Sequence, residues 1–192
     1  MFRLSKPTAQ EIDSAVEVCS LTESRGGLLH PLRGLQGSSL PTGFSHDLLR
    51  TRIGTGVNVF EAAVRAFEQW RQFELGWMRV ANPTARIEVS RIVAVEVHSL
   101  GLWSLNLSRI ISVTRDTHAF GFIYRTAQHH IEEGEERFLL TFDPSTEIVC
   151  YELEAVSKPR NWMAILGYPI TRAFQHRFAR ESQKRMQKVV SG

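Results

Sequence analysis

ERFLLTFDPSTEIVCYELEAV, residues 136–156, is the stretch that decides the fold. It reads as two strand-like runs, 136–142 and 147–156, joined by Asp143-Pro144-Ser145-Thr146, a β-turn sequence with proline at its second position. Strands on so short a connection lie antiparallel. The same grammar repeats upstream. In HAFGFIYRT, residues 118–126, Phe120, Phe122 and Tyr124 alternate on one face, as Phe138, Leu140 and Phe142 do in the following run. Runs at 102–106 and 109–115 come before it. From Arg86 onward Ile87, Val89, Val93, Val95 and Val97 alternate with Glu88, Ser90, Glu96 and His98. Residues 86–156 therefore predict a continuous antiparallel meander of about six strands.

Helical spacing flanks this block on both sides. A strand over 44–53 ends at Gly54-Thr55-Gly56; Asn58 then reads as a helix cap, with Phe60, Ala63, Val64, Phe67 and Trp70 in a stripe running toward Gly76. Past Pro159 the period returns to 3.6. Ile165, Leu166, Ile170, Ala173, Phe174, Phe178, Met186 and Val189 approximate one apolar stripe, and Pro169 sets the expected start of a long helix over 170–188. At the N-terminus Thr8 and Glu11 form a capping box before a helix over 9–20, striped by Ile12, Ala15, Val16 and Cys19. Residues 24–43, rich in glycine and proline, predict a long loop.

An antiparallel sheet with one apolar face needs a cover, and the C-terminal helix supplies one. The fold class is α+β: a curved antiparallel sheet of about six to seven strands covered by a long C-terminal helix, the helix-grip arrangement of lipid-transfer START domains and the pollen-allergen superfamily. Residues 1–192 read as a single domain, with 1–43 an N-terminal helix-and-loop extension and 44–192 the helix-grip core.

Composition sets further bounds. With 192 residues, 43% hydrophobic and 22% charged, the chain can bury a sizeable core without disulfide or metal. Cys19 and Cys150 make no disulfide framework, and no apolar run reaches the roughly 18 residues of a membrane span, so a cytoplasmic protein without membrane insertion is expected. The net charge of +3 is unevenly placed: residues 159–192 hold seven basic residues and one acid, leaving 1–158 net negative. The basic face lacks interleaved aromatics, so no nucleic-acid partner is expected.

A closer resemblance rests on Gly54-x-Gly56, Phe60-Glu61-Ala62-Ala63, Trp70, Leu75-Gly76-Trp77, Gly121-Phe122-x-Tyr124-x-Thr126, His130-x-Glu132-x-Gly134-Glu135-Glu136-Arg137-Phe138 and Ser157-Lys158-Pro159. In this order they resemble the uncharacterised family called domain of unknown function nineteen-ninety, over about residues 20–185. The resemblance implies a helix-grip fold and brings no assigned reaction. It departs at Tyr124–Glu132, where the glycine and prolines of the family's hairpin are missing.

The densest chemistry is HHIEEGEERF, residues 129–138. Its spacing matches no zinc template, so neither metal nor cofactor is expected. A solvated loop entering a strand is one reading; the other is a ligand-contacting or acid–base role for Glu135 or Glu136, with His130 as partner. The Gly54-Thr55-Gly56 element reads as a tight strand-to-helix turn. Trp103, Phe120, Phe122, Tyr124 and Phe138 supply aromatic surface for a core or a cavity wall, with Tyr124 and His98 the polar groups expected to project inward. The expected function is binding of a hydrophobic or amphipathic small molecule between sheet and C-terminal helix. The alternative is a hydrolase- or cyclase-type enzyme drawing on Glu135, Glu136, His130 or Tyr124 in the same cavity.

Overall fold

The computed structural model describes residues 2–24, 44–127, 132–159 and 162–191. Its strands are β1 (Phe2–Arg3), β2 (Ser45–Thr55), β3 (Met78–Val80), β4 (Ile92–Ser99), β5 (Leu102–Asp116), β6 (Ala119–Thr126), β7 (Glu132–Asp143) and β8 (Ile148–Pro159). Helices α1 (Ala9–Ser24), α2 (Val57–Glu68) and α3 (Trp162–Ser191) complete it, with a 3-10 turn at Arg71–Phe73. All pairings are antiparallel, in the order β2-β8-β7-β6-β5-β4-β3, and β1 pairs with β5 at Phe2–Ser104 and Arg3–Trp103. Register shifts at Arg52/Gly54 and Ile110/Ser112 add local twist and help the sheet curl. The helix-grip architecture read from the sequence is the one observed.

Period-two alternation decides what each face meets. On the concave face Val113, Phe122, Phe138 and Leu153 stand side by side across β5, β6, β7 and β8. Helix α2 lays Phe60, Ala63, Ala66 and Phe67 onto this face, all buried. The Phe67 ring meets Tyr151 edge-on at 5.3 Å, and Phe120 and Phe122 each at 6.3 Å. From α3, Phe178, Ala179 and Met186 are buried, Phe178 stacks on Phe73 at 5.2 Å, and Ser182 hydrogen-bonds the buried Tyr151 hydroxyl at 2.9 Å.

The convex face carries charge where the strands alternate outward. Arg137 reaches Glu152 and Glu154, His46 meets Glu154 at 2.7 Å, and Arg125 pairs with Glu135. Helix α1 contacts β4 and β5 and buries Ile12, with Ala15, Val16 and Cys19 half-buried along the same stripe. Its capping box forms: Glu11 Oε2 accepts from Thr8 N at 2.7 Å, and Thr8 Oγ1 accepts from Glu11 N at 3.3 Å. Arg3 foremost, then the bonds that Thr8 N and Oγ1 donate to Oε2, hold the Glu11 carboxyl down to about 2.

Several boundaries differ from expectation. Helix α2 starts at Val57 with Gly56 as its N-cap (φ 90) and no side-chain cap, so Asn58 lies inside the first turn. Gly56 N donates to Glu147 O at 2.8 Å, fixing a turn whose positive φ suits glycine. The helix ends at Glu68 because Trp70 turns left-handed (φ 60); burial of its ring and an Nε1 bond to Ala85 O at 2.9 Å offset a strain of about 1–3 kcal/mol. Residues 86–91 are not strand: Ser90 adopts φ 74, and pairing begins at Ile92. The two runs at 102–106 and 109–115 are one 15-residue strand. Strand β3, only three residues long, gave no periodic signal. Helix α3 starts upstream of Pro169, at Trp162. The expected loop over 24–43 lies outside the described residues, save for Ser24 at the end of α1.

Two outcomes follow. A Cβ at Gly121 would collide with the Phe138 carbonyl oxygen, so Gly121→Ala must push β6 from β7; a loss of about 1–3 kcal/mol is expected in urea denaturation. Removing residues 165–192 takes away Phe178 and Met186 and should leave an aggregating or molten chain by size exclusion and near-UV circular dichroism. A monomeric truncation with a cooperative melt would contradict the covering role of α3.

Candidate functional site in the concave face

Helix α2 covers one end of the concave face only. At the other end, four adjacent strands change polarity at the same level without changing face. Along β5 the inward positions pass from buried Ile110 to Ser108, Asn106 and Ser104. Along β6 they pass from Phe120 and Phe122 to Tyr124 and Thr126, along β7 from Leu140 and Phe138 to Glu136, and along β8 from Tyr151 and Leu153 to Ala155 and Ser157. Ser108 pairs with Thr126, and Tyr124 with Glu136, so the switch is continuous across the sheet.

Above the polar end lies a pocket of about 370 Å³. Phe73, Trp77 and Met78 bound it on one side, and Phe174, Gln175 and Phe178 of α3 on another; Val95, Val97 and Leu102 add apolar floor. Mixed walls and this volume fit a small-molecule site. The Tyr124 hydroxyl donates to Glu136 Oε2 at 2.8 Å. Thr126 Oγ1 accepts from Gly134 N at 3.1 Å, and Asn106 Nδ2 donates to Ser104 Oγ at 3.3 Å. Gln175 Nε2 donates to Ser157 Oγ at 3.4 Å, and Arg172 pairs with Asp47, tying α3 to the two strands at one edge of the sheet. Burial first, and the nearby Glu136 charge second, push the Tyr124 hydroxyl well above its ordinary range, so it stays protonated at neutral pH.

The residues singled out from the sequence divide by face and depth. Tyr124 and Glu136 line the pocket together. Glu135, next in the chain, also borders the pocket, but its carboxylate turns to the convex face, where Arg125 holds it. Phe120, Phe122 and Phe138 are core: Phe122 stacks on Phe138 at 4.9 Å beneath the pocket. His98 does not project inward. It is exposed on the outer face and stacks on Trp103 at 4.3 Å, because strand alternation sends Val97 and Ser99 inward instead. His130 lies outside the described residues. Among the described residues no group of three His, Cys, Asp or Glu side chains is placed to hold a metal, and no helix is long and apolar enough to cross a membrane.

Sequence reasoning missed Ser104, Asn106 and Ser108. In WSLNLS, residues 103–108, an apolar-inward reading points Leu105 and Leu107 to the core, yet they face outward on the strand that α1 contacts. The usable signal was Ile110, whose register fixes the face, but the bulge after it hides that phase.

Known proteins share this architecture. The profile of the family described as domain of unknown function (DUF1990) matches residues 31–185. A UPF0548 protein of Dictyostelium discoideum is 34% identical over 158 residues, covering 77% of this chain and 73% of the relative. Among solved structures, Ara h 8.0201 superposes with a TM-score of 0.53 at 13% identity, over 78% of this chain and 100% of that one. The di-domain ARO/CYC BexL of the BE-7585A biosynthetic pathway gives 0.56 at 13% identity, over 94% of this chain and 60% of that one. At such identities the structural likeness is one of fold. By the extent of the profile match and by its Dictyostelium relative, the chain belongs to the DUF1990 family, a domain of unknown function on a helix-grip framework.

Proposed function

We propose that the chain binds a small amphipathic molecule in the concave pocket, its apolar body against Trp77, Phe174 and Phe178 and its polar groups along the Ser104–Asn106–Ser108 edge. The observation that carries this reading is the switch of polarity along β5 to β8 on a single sheet face. A core selected only for stability would continue the phenylalanine rows, since burying hydroxyls and amides beside empty volume costs more than burying methyls. The Tyr124–Glu136 pair reads as an anchor: a hydroxyl held protonated by burial donates hydrogen bonds and is poorly suited to shuttle protons. This favours carriage over acid–base catalysis in the same pocket.

Native mass spectrometry of protein purified from its own host tests the proposal. A co-purifying small molecule is expected on the wild-type chain. It should be lost from Asn106→Trp, whose indole fills the pocket, while far-UV circular dichroism is unchanged. No added mass on the wild type, or the same mass retained by the filled variant, would contradict the reading.

A further inference from the structure

A second recess, of about 500 Å³, wraps the edge strand β3 and plays no part in the proposal above, although Trp77 and Met78 border both. Its walls include Lys6, Arg79, Glu96 and Trp103 on the outer side of the sheet, and Glu74 and Arg185 toward α3. The two carboxylates are oversubscribed. Buried Glu96 takes both Arg79, at 3.0 Å, and Lys6, at 3.6 Å. Glu74 takes both Arg71, at 2.9 Å, and Arg185, at 2.5 Å. In the lining itself Lys6, Arg79 and Arg185 face Glu74 and Glu96, three cations to two acids, and the groove keeps a positive surplus.

Two further features indicate what would answer that surplus. Arg185 Nε is shielded from solvent and meets no acceptor among the described residues, although Nη2 of the same guanidinium is bonded to Glu74. Glu74 thus serves only part of this guanidinium, and the side chain borders the groove with 30% of its surface exposed, where an oxyanion can meet it. The groove also holds two indoles, each with a cation near its ring. The Trp103 ring is braced by His98 at 4.3 Å and carries Lys6 Nζ 5.5 Å from its centroid; Trp77 is held by a hydrogen bond from Nε1 to Glu181 Oε2 at 2.6 Å and has the Arg177 guanidinium 4.6 Å from its centroid. Rigid indoles beside cations suit a planar body carrying negative charge.

We propose that the β3-edge groove is a second binding site, for a small aromatic oxyanion, with Arg185, Arg79 and Lys6 meeting the anionic group and Trp103 and Trp77 the ring. The oxyanion is a carboxylate or a phosphate monoester, both of which present acceptor oxygens to a guanidinium fork.

The test is calorimetric titration of the full chain with 2-naphthoate, 1-naphthyl phosphate, neutral 2-naphthalenemethanol and inorganic phosphate, at two salt concentrations. NMR of the tryptophan indole N–H groups follows the site. At least one aromatic anion should bind at least tenfold more tightly than the neutral alcohol or inorganic phosphate, and more weakly at high salt. The tighter of the two identifies the anionic group. Trp103 and Trp77 resonances should move and that of buried Trp70 should not. Arg185→Gln should weaken binding at least tenfold, and Lys6→Gln, at a half-exposed site where folding is not at stake, about threefold. Equal binding of the neutral alcohol or of phosphate alone, no binding of either aromatic anion, or affinity unchanged in both variants would overturn the proposal. So would affinity lost in Asn106→Trp and kept in Lys6→Gln and Arg185→Gln, since the ligand would then occupy the concave pocket.

Discussion

The structure turns on a mismatch of lengths. Helix α2 has 12 residues and spans about 18 Å, whereas β5 has 15 residues and runs about 50 Å. A helix so short, anchored by Phe67 among Phe120, Phe122 and Tyr151, closes one end of the concave face and cannot reach the other. The remaining length falls to α3, which buries Phe178 and Met186 and brings Phe174 and Gln175 to the pocket. The pocket is the space that these two covers leave between them. The residues facing it mix polar and apolar side chains on one sheet face.

Much of this was legible in the sequence, for identifiable reasons. The alternation of Phe120, Phe122 and Tyr124, the Asp143–Thr146 turn and the 3.6 period after Pro159 each report a local preference that agrees with the global fold, so the meander and its covering helix followed. The capping box at Thr8 and Glu11 formed for the same reason. What stayed hidden depends on long-range placement. Which face of β5 points inward is set by pairing with β4 and β6 and by a bulge between them, and α1 on the outside gives Leu105 and Leu107 a place to go. The left-handed Trp70, which ends α2 early, depends on a hydrogen bond to Ala85, 15 residues away.

The candidate site shows the same division. Glu135 and Glu136 are neighbours in an acidic run, and a strand's period of two sends them to opposite faces and opposite fates. One is bound by Arg125 on the convex side, and the other meets Tyr124 beside the pocket. His98, among apolar strand neighbours, is expected inward, and Trp103 in a core or cavity wall; their pairing across β4 and β5 on the outer face places both beside the groove at the β3 edge. Residue type alone suggested participation, and strand phase decided which residues can act together.

On the binding proposal, the polar end of the concave face is kept for a ligand at some expense to stability. Equilibrium urea denaturation of the double substitution Asn106→Leu/Ser108→Val, against wild type without ligand, measures that expense. Apolar side chains there should leave stability unchanged or raise it by about 1 kcal/mol, because burying methyls is favourable where a hydroxyl and an amide give up water. A loss of about 2 kcal/mol or more would mean that Asn106 and Ser108 belong to a polar network the fold itself requires, and would contradict the account.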